Sequence, residues 1–402
     1  MIYHTLFVGI DVSKLKHDIA IVNEQKKLVA KQFVISDTGN GYQELMQKLN
    51  GSISQYGTQQ LYIGLEATGD YWKNIYYFLK KQSNNFIVKV INPVQTNAFA
   101  KAELRRAKTD AVNAKDIALF MAEKKPQSSY DRTPFHDTIK DMDRQIYHLK
   151  KQQTMVTNRL RIELTKVAPE IEQAVSNING KQLLALLGQY PTAEAISNAS
   201  MEQLRSIRYG TKNRALPTPF IEKMKTLAKN SIAYKTGEAT GIVVQSLVQS
   251  LLHIQQQVDM LKQQSVKLFE SMNGNNHSVL ETIPGISAET AVIMEAYIGD
   301  VNRFPNAKKF VAYFGMNPIV SQSGKGKRAA HLQKKGNPIV RHKLFMATLV
   351  MISRKIHPVY PFFCKIVDTG KPKLVAIGAA MRKLLTIIYY MLKNQQDFIQ
   401  KY

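Results

Sequence analysis

The chain has 402 residues, two to three domain-lengths, and its 44% hydrophobic content is enough to bury more than one core. A net charge of +25 would repel itself in a compact protein unless a polyanion answers it, so nucleic acid is the first partner to consider. A single cysteine, Cys364, excludes an internal disulfide framework. No signal peptide, lipidation motif or unbroken apolar run of about twenty residues is evident, which argues against a membrane protein and for the cytoplasm.

The apolar run Thr5 to Val12 and the β-rich stretches His17 to Val22 and Leu28 to Ile35 predict a three-stranded meander. There follow a helix near Gly41 to Leu49, a strand Leu61 to Leu65, an aromatic-rich helix Tyr71 to Lys81, a strand Phe86 to Ile91 closed by Asn92-Pro93, and a helix from about Thr109 to Glu123. The order βββαβαβα is that of an α/β, ribonuclease-H-like domain over about residues 1–125.

Beyond it, Met142, Ile146, Leu149, Val156 and Leu160 keep a 4-3 spacing with Gln153 at the one interrupted position. A second seam, Val244, Leu247, Leu251, Ile254, Val258, Leu261 and Leu268, is broken only by Ser265. Two such helices over about residues 135–275 read either as an antiparallel coiled-coil arm or as a seam for another subunit, with residues 170–240 as an inserted helical segment.

The last part, about residues 276–402, is mainly helical and is where the charge collects: residues 301–402 hold 19 Lys and Arg against Asp368 and Asp397 alone. It opens on LETIPGISAETAVIMEAYIGDVNRF, a helix end, a Pro-Gly turn and a second helix. As a helix-hairpin-helix this would offer backbone N–H groups near Gly285 to a DNA phosphate; as an ordinary helix corner it would not. The densest basic stretch follows, with Lys325, Lys327, Arg328, Lys334, Lys335, Arg341 and Lys343 as phosphate contacts whose binding should be salt-sensitive. Tyr313 and Phe314 read as core residues rather than base-stacking platforms.

Three acids carry the chemistry. Asp11 ends a strand in FVGIDVSK, Glu66 ends another in YIGLEATGDYW, and Asp110 opens a helix in KTDAVNAKDIALFMAE. A carboxylate at the end of a buried strand must be paired, hydrogen-bonded or metal-bound, because leaving it bare is costly. Individually Asp110 also suits a helix N-terminus and Asp11 a turn, but jointly they suit Mg²⁺ or Mn²⁺, hard cations that take oxygen ligands and polarise a scissile phosphate. GIDVSK also resembles the phosphate loop of an actin-like ATPase, against which stands the lack of a second Gly-rich loop.

Taken together, GIDVSK, LEATGDYW, KTDAVNAKDIA, the IPGI hairpin and YFGMNPIVSQSGKGKRAAHLQKKGNPIVRHKL resemble the insertion-sequence transposases with a RuvC-like DEDD domain, the bridge-RNA-guided group, over nearly the whole chain. The resemblance implies a DNA transposase or site-specific recombinase acting on element ends and target. It further implies metal ligands at Asp11, Glu66 and Asp110, a serine nucleophile at Ser323 with Ser321 as its competitor, a guide RNA, and a homo-oligomer, dimer or tetramer. Ser323 brings no base in its local sequence, so its activation would come from the metal site.

The chain departs from the family's Asp-x-x-Asp pattern at Asn113, an amide ligand of lower charge, while Asp116 is turned about 120° from Asp110 on a helix and is a poor substitute. Two other readings remain at this stage: a hydrolytic nuclease or junction resolvase using metal-bound water, and a nucleic-acid-binding remnant that has lost catalysis through Asn113.

Overall fold

The structure, a computed structural model, describes residues 3–67, 69–102, 110–126, 128, 130, 133–235, 237–274, 277–319, 331–332 and 336–399. The chain divides into two compact units, residues 1–131 and 132–402.

The first unit runs β1 (Thr5–Val12), β2 (Lys16–Asn23), β3 (Phe33–Ser36), α1 (Gly39–Tyr56), β4 (Gln60–Glu66), α2 (Trp72–Lys80), β5 (Phe86–Ile91), α3 (Pro93–Ala102) and α4 (Asp110–Lys124). The strands form one sheet in the order β3-β2-β1-β4-β5, with β1, β4 and β5 parallel and β2 antiparallel to both neighbours. Side-chain alternation splits β1 between two cores. Leu6, Val8 and Ile10 meet Leu45 and Leu49 of α1 and Ile75 and Leu79 of α2, while Phe7 meets Ile117, Ala118 and Met121 of α4. With both faces covered, the strands read as continuous apolar runs.

Two differences from the sequence expectation have local causes. β3 is confined to Phe33–Ser36 because Leu28 makes only an isolated bridge to Val22. Asn92-Pro93 ends β5 but also starts α3: Asn92 Oδ1 accepts from the Val94 N–H at 2.9 Å, and Pro93 has no N–H to satisfy at the first helical position.

The second unit begins with α5 (Pro134–Val167), continues through α6 (Pro169–Ala174), α7 (Lys181–Gln189), α8 (Ala193–Asn198), α9 (Met201–Ser206), the two-stranded β6 (Arg208–Tyr209) and β7 (Arg214–Ala215), and α10 (Thr218–Lys229), and returns along α11 (Glu238–Met272). The two apolar seams face each other and run antiparallel. Ile139 shares a cluster with Phe269, Ile146 and Leu149 with Ile254 and Val258, and Leu160 and Leu164 with Val244, Leu247 and Leu251. Within the chain the two helices thus pack against each other as an arm, with α6 to α10 at the end where α5 closes and α11 opens. Ser265, the break in the seam, is buried and donates its hydroxyl to the Lys262 carbonyl at 2.8 Å.

The remaining helices are α12 (Ala288–Ile298), α13 (Ala307–Tyr313), α14 (Pro338–Ser353), α15 (Val359–Asp368) and α16 (Lys373–Asn394), with the short pair β8 (Pro318–Ile319) and β9 (His331–Leu332) between α13 and α14. Their core takes in Ile283, Ile293, Phe310, Phe314, Leu344 and Leu385 together with Ile139 and Phe269 of the arm. Phe314 is fully buried and Tyr313 half-exposed, its ring 4.6 Å from the Arg303 guanidinium. By length and composition α16 is apolar enough to cross a bilayer, but Arg382 and Lys383 interrupt it and Leu384, Leu385 and Ile388 bury one face in this core.

Candidate active site

The β1–β4 register pairs Ile10 with Leu65, so the next residues, Asp11 one short of the end of β1 and Glu66 at the end of β4, stand side by side on neighbouring parallel strands. Both lie on the face covered by α4, the face to which Phe7, Gly9 and Gly64 also point. Gly9 sets how close α4 can come: a Cβ there would stand 2.1 Å from the Ala114 carbonyl oxygen and 2.4 Å from the Ala118 nitrogen. This close approach carries Asn113, the residue before Ala114, onto Asp11, with its amide nitrogen 3.2 Å from Asp11 Oδ2. Asp110 opens the same helix one turn earlier; its side chain lies outside the described residues.

Two participants escape sequence reasoning. Thr96, buried on α3, donates its hydroxyl to Glu66 Oε2 at 2.9 Å and to the Pro93 carbonyl at 3.1 Å, and fixes that carboxylate from a helix the sequence did not announce. Asp18 on β2 is the register partner of Asp11, so the two half-buried carboxylates share one face, a pairing that is destabilising unless a cation or donors offset it. The turn between β1 and β2 is the signal that would have revealed it, since a hairpin centred on Ser13 to Leu15 brings Asp18 back beside Asp11.

Asp11 and Glu66, with Asp18 beside Asp11, offer only hard oxygen donors, the chemistry that suits Mg²⁺ or Mn²⁺. Among the described residues no three His, Cys, Asp or Glu side chains stand close enough to hold a metal ion; Asp110 falls outside that set. As a ligand Asn113 would have to present its amide oxygen, whereas here the nitrogen faces Asp11 and holds it in place.

In the second unit Ser321, Ser323, Lys325, Lys327, Arg328, Lys334 and Lys335 lie outside the described residues. Gly285 has a φ of +91°, and a Cβ there would come within 2.8 Å of the Val350 side chain on α14. A packing requirement thus already explains this glycine. The limb before its turn is a single tight turn, Val279–Thr282, rather than a full helix. Arg341, in the first turn of α14, gives one guanidinium N–H to the Gly336 carbonyl and is half-buried.

Lys343 differs from the sequence expectation of a phosphate contact: its ammonium lies 3.8 Å from Asp143 on α5, with both side chains largely enclosed. Burial lowers the Lys343 pKa and raises that of Asp143, while each is partly held by the other. Tyr297 donates its hydroxyl to the same carboxylate at 3.4 Å. Lys343→Met should therefore cost about 2–3 kcal/mol of stability, because it strands a buried carboxylate. In DNA binding at graded salt it should leave the salt slope unchanged, where a lost phosphate contact would reduce it by about 0.9.

Glu295 on α12 is mostly buried and accepts a hydrogen bond from the Ser278 hydroxyl. Burial, reinforced by Glu281, pushes its pKa up from 4.5 to about 7. A raised carboxyl pKa favours the folded state fully below the unfolded value, and this stability is lost as pH rises from about 4.5 through about 7. Glu295→Gln should remove that loss, leaving the variant more stable than the parent at pH 8, by up to about 3 kcal/mol, and little changed at pH 4. Chemical denaturation at the two pH values measures it.

Residues 8–169 match a transposase family, the DEDD transposases of IS110 type, and residues 277–361 match the family described as transposase IS116/IS110/IS902. The chain is 24% identical over 397 residues, 98% of its own length and 97% of the relative's, to the pilin gene-inverting protein of Moraxella bovis. It is 22% identical over 247 residues, 61% of this chain and 60% of the relative, to the uncharacterized 43.6 kDa protein of insertion element IS110 from Streptomyces coelicolor. It is 20% identical over 304 residues, 75% of each chain, to the uncharacterized 44.8 kDa protein of insertion element IS116 from Streptomyces clavuligerus. Two matches of the same type cover well over half of the sequence, one bearing the carboxylate-tipped sheet and the other much of the basic C-terminal core, and the chain belongs to the IS110-type transposases, enzymes that recombine DNA.

Proposed function

We propose that this transposase cuts and rejoins DNA with a metal-binding carboxylate site at Asp11, Glu66 and Asp110 and a serine nucleophile at Ser323, as a homo-oligomer directed by a structured RNA. The observation that supports it most is the placement of Asp11 and Glu66 at adjacent strand ends on the face that α4 closes, with Asn113 bonded to Asp11. Three antiparallel strands followed by two parallel ones, in the order β3-β2-β1-β4-β5, favour the ribonuclease-H-like reading of this unit. The RNA and the serine rest on the resemblance of GIDVSK, KTDAVNAKDIA and VSQSGKGK to the guided group.

When bound, a divalent ion would polarise the scissile phosphate and stabilise the charge on the attacking and leaving oxygens. The chain's own residues do the rest. Thr96 and Asn113 hold Glu66 and Asp11 in fixed orientation, and Asp18 adds negative charge where Asn113 has replaced an acid. Ser323 Oγ gives its proton to solvent and attacks phosphorus, the phosphorus bond to one sugar oxygen breaks and that oxygen takes up a proton and leaves as a hydroxyl, and the cut strand stays linked as a phosphoserine diester whose energy is available for rejoining. Lys325, Lys327, Arg328, Lys334, Lys335 and Arg341 are assigned to phosphate binding around it.

The test is a cleavage assay with Mg²⁺ or Mn²⁺ that resolves protein–DNA adducts surviving denaturant. The parent should form them and Ser323→Ala should not. Cleavage without adducts, indifferent to Ser323, would support the hydrolytic nuclease instead. No cleavage by the parent together with cleavage by Asn113→Asp would support an impaired remnant.

A further inference from the structure

Both family matches leave out residues 170–276, which hold the helices packed on the arm. Between Gln203 and Ile221 this segment carries Arg205, Arg208, Lys212 and Arg214 and no acid. All four are exposed, and among the described residues none of them forms a salt bridge. Arg205 sits near the end of α9, and Arg208, Lys212 and Arg214 are displayed by the β6–β7 ribbon that follows, whose turn uses left-handed backbone at Gly210 (φ +70°) and Asn213 (φ +48°) to double back within four residues. The Arg208 guanidinium folds back onto the backbone, donating to the Arg205 carbonyl at 2.7 Å and the Ile207 carbonyl at 3.3 Å, which ties the ribbon to the end of α9.

The ribbon does not stand alone. With Lys181, ribbon residues Arg208 to Thr211 wall a groove of about 680 Å³ along α11, which lines it with Gln249, Gln256 and Gln263, recurring every seven positions, and with the apolar Val248, Leu252 and Met260 between them. Asp259 is the single acid in it. Cations, amide side chains and exposed backbone are the groups that grip phosphate and sugar. From Val248 to Gln263 the groove follows α11 for about 22 Å, the length of roughly six or seven base pairs at 3.4 Å per step. Gln263 lies about 9 Å along the helix from Phe269, which already belongs to the C-terminal core.

We propose that the β6–β7 ribbon and the groove beneath it form a second DNA-binding surface, which holds the backbone of duplex DNA continuing along the arm from the C-terminal core. The surface reads no sequence and lengthens the footprint. It rests on the chain's being a DNA recombinase and not on the serine or the metal, so binding measured in EDTA tests it separately from catalysis.

The experiment compares the full chain with the triple variant Arg205→Ala, Lys212→Ala, Arg214→Ala on 15-bp and 40-bp duplexes over a salt series. The parent should gain affinity on the longer duplex. The variant should lose that gain, bind the 40-bp duplex tenfold or more weakly, and show a salt slope lower by about 2 to 3. Lys212→Arg with Arg214→Lys should bind like the parent, and Lys212→Gln with Arg214→Gln serves in place of the triple variant if that one does not fold. Equal affinity of parent and variant, no gain with length in the parent, an equal loss on both duplexes, or a loss seen only with structured RNA would each overturn the proposal.

Discussion

Asp11→Asn is expected to lower strand cleavage by about 10³-fold or more while leaving DNA binding within a few-fold of the parent. The substitution keeps the shape and removes one charge from the position where β1, β4 and the first turn of α4 converge. A carboxylate that helps hold a divalent ion is worth several kcal/mol at the transition state, and about 4 kcal/mol corresponds to a thousandfold in rate. Stability should move the other way. Asp11 faces Asp18 across the β1–β2 ladder, so removing one of two like charges relieves repulsion, and the metal-free variant should melt at or slightly above the parent. Single-turnover cleavage and thermal melts in EDTA, taken together, separate this outcome from simple unfolding. Cleavage within tenfold of the parent would remove Asp11 from the catalytic set.

Gly9→Ala should be among the most damaging substitutions in the first unit. The added methyl would collide with main-chain atoms of α4, at 2.1 Å from the Ala114 oxygen and 2.4 Å from the Ala118 nitrogen, and main chain cannot turn aside as a side chain can. Overpacking of a well-filled core costs about 1–3 kcal/mol when side chains absorb it. Here the helix itself must retreat, so the cost should exceed about 3 kcal/mol, and the retreat draws Asn113 away from Asp11. Gly51→Ala is the control: it sits in α1 with open space around the built methyl and should stabilise the helix by about 0.5–1 kcal/mol. Denaturant unfolding of the full chain, with cleavage measured on the folded fraction, reads both effects.

Strand-forming apolar runs and both heptad seams were legible because their periodicity is local, and so were Asp11 and Glu66, which close such runs. What escaped depended on tertiary register. Asp18 is unremarkable in the sequence until the β1–β2 pairing sets it against Asp11. Thr96 belongs to a helix masked by Asn92-Pro93, a pair that ends a strand and starts a helix equally well. Lys343 looks like its basic neighbours, yet one face of α14 turns it toward Asp143, a residue two hundred positions earlier. That the two seams pack on each other within the chain is likewise visible only in the clusters they share.

The antiparallel arm has a topological consequence. Because α5 leaves the C-terminal core near Ile139 and α11 returns to it near Phe269, everything in between is a closed excursion whose two ends meet at one place. The geometry at the root is fixed by the paired helices, not by what is threaded at the tip. Residues can be gained, lost or recharged between Val167 and Glu238 without changing where the chain re-enters, as an extension can be built at the end of a pier without moving the shore. The fold thus confines variation in what the arm grasps to a part of the molecule whose alteration need not disturb the core that the arm rejoins.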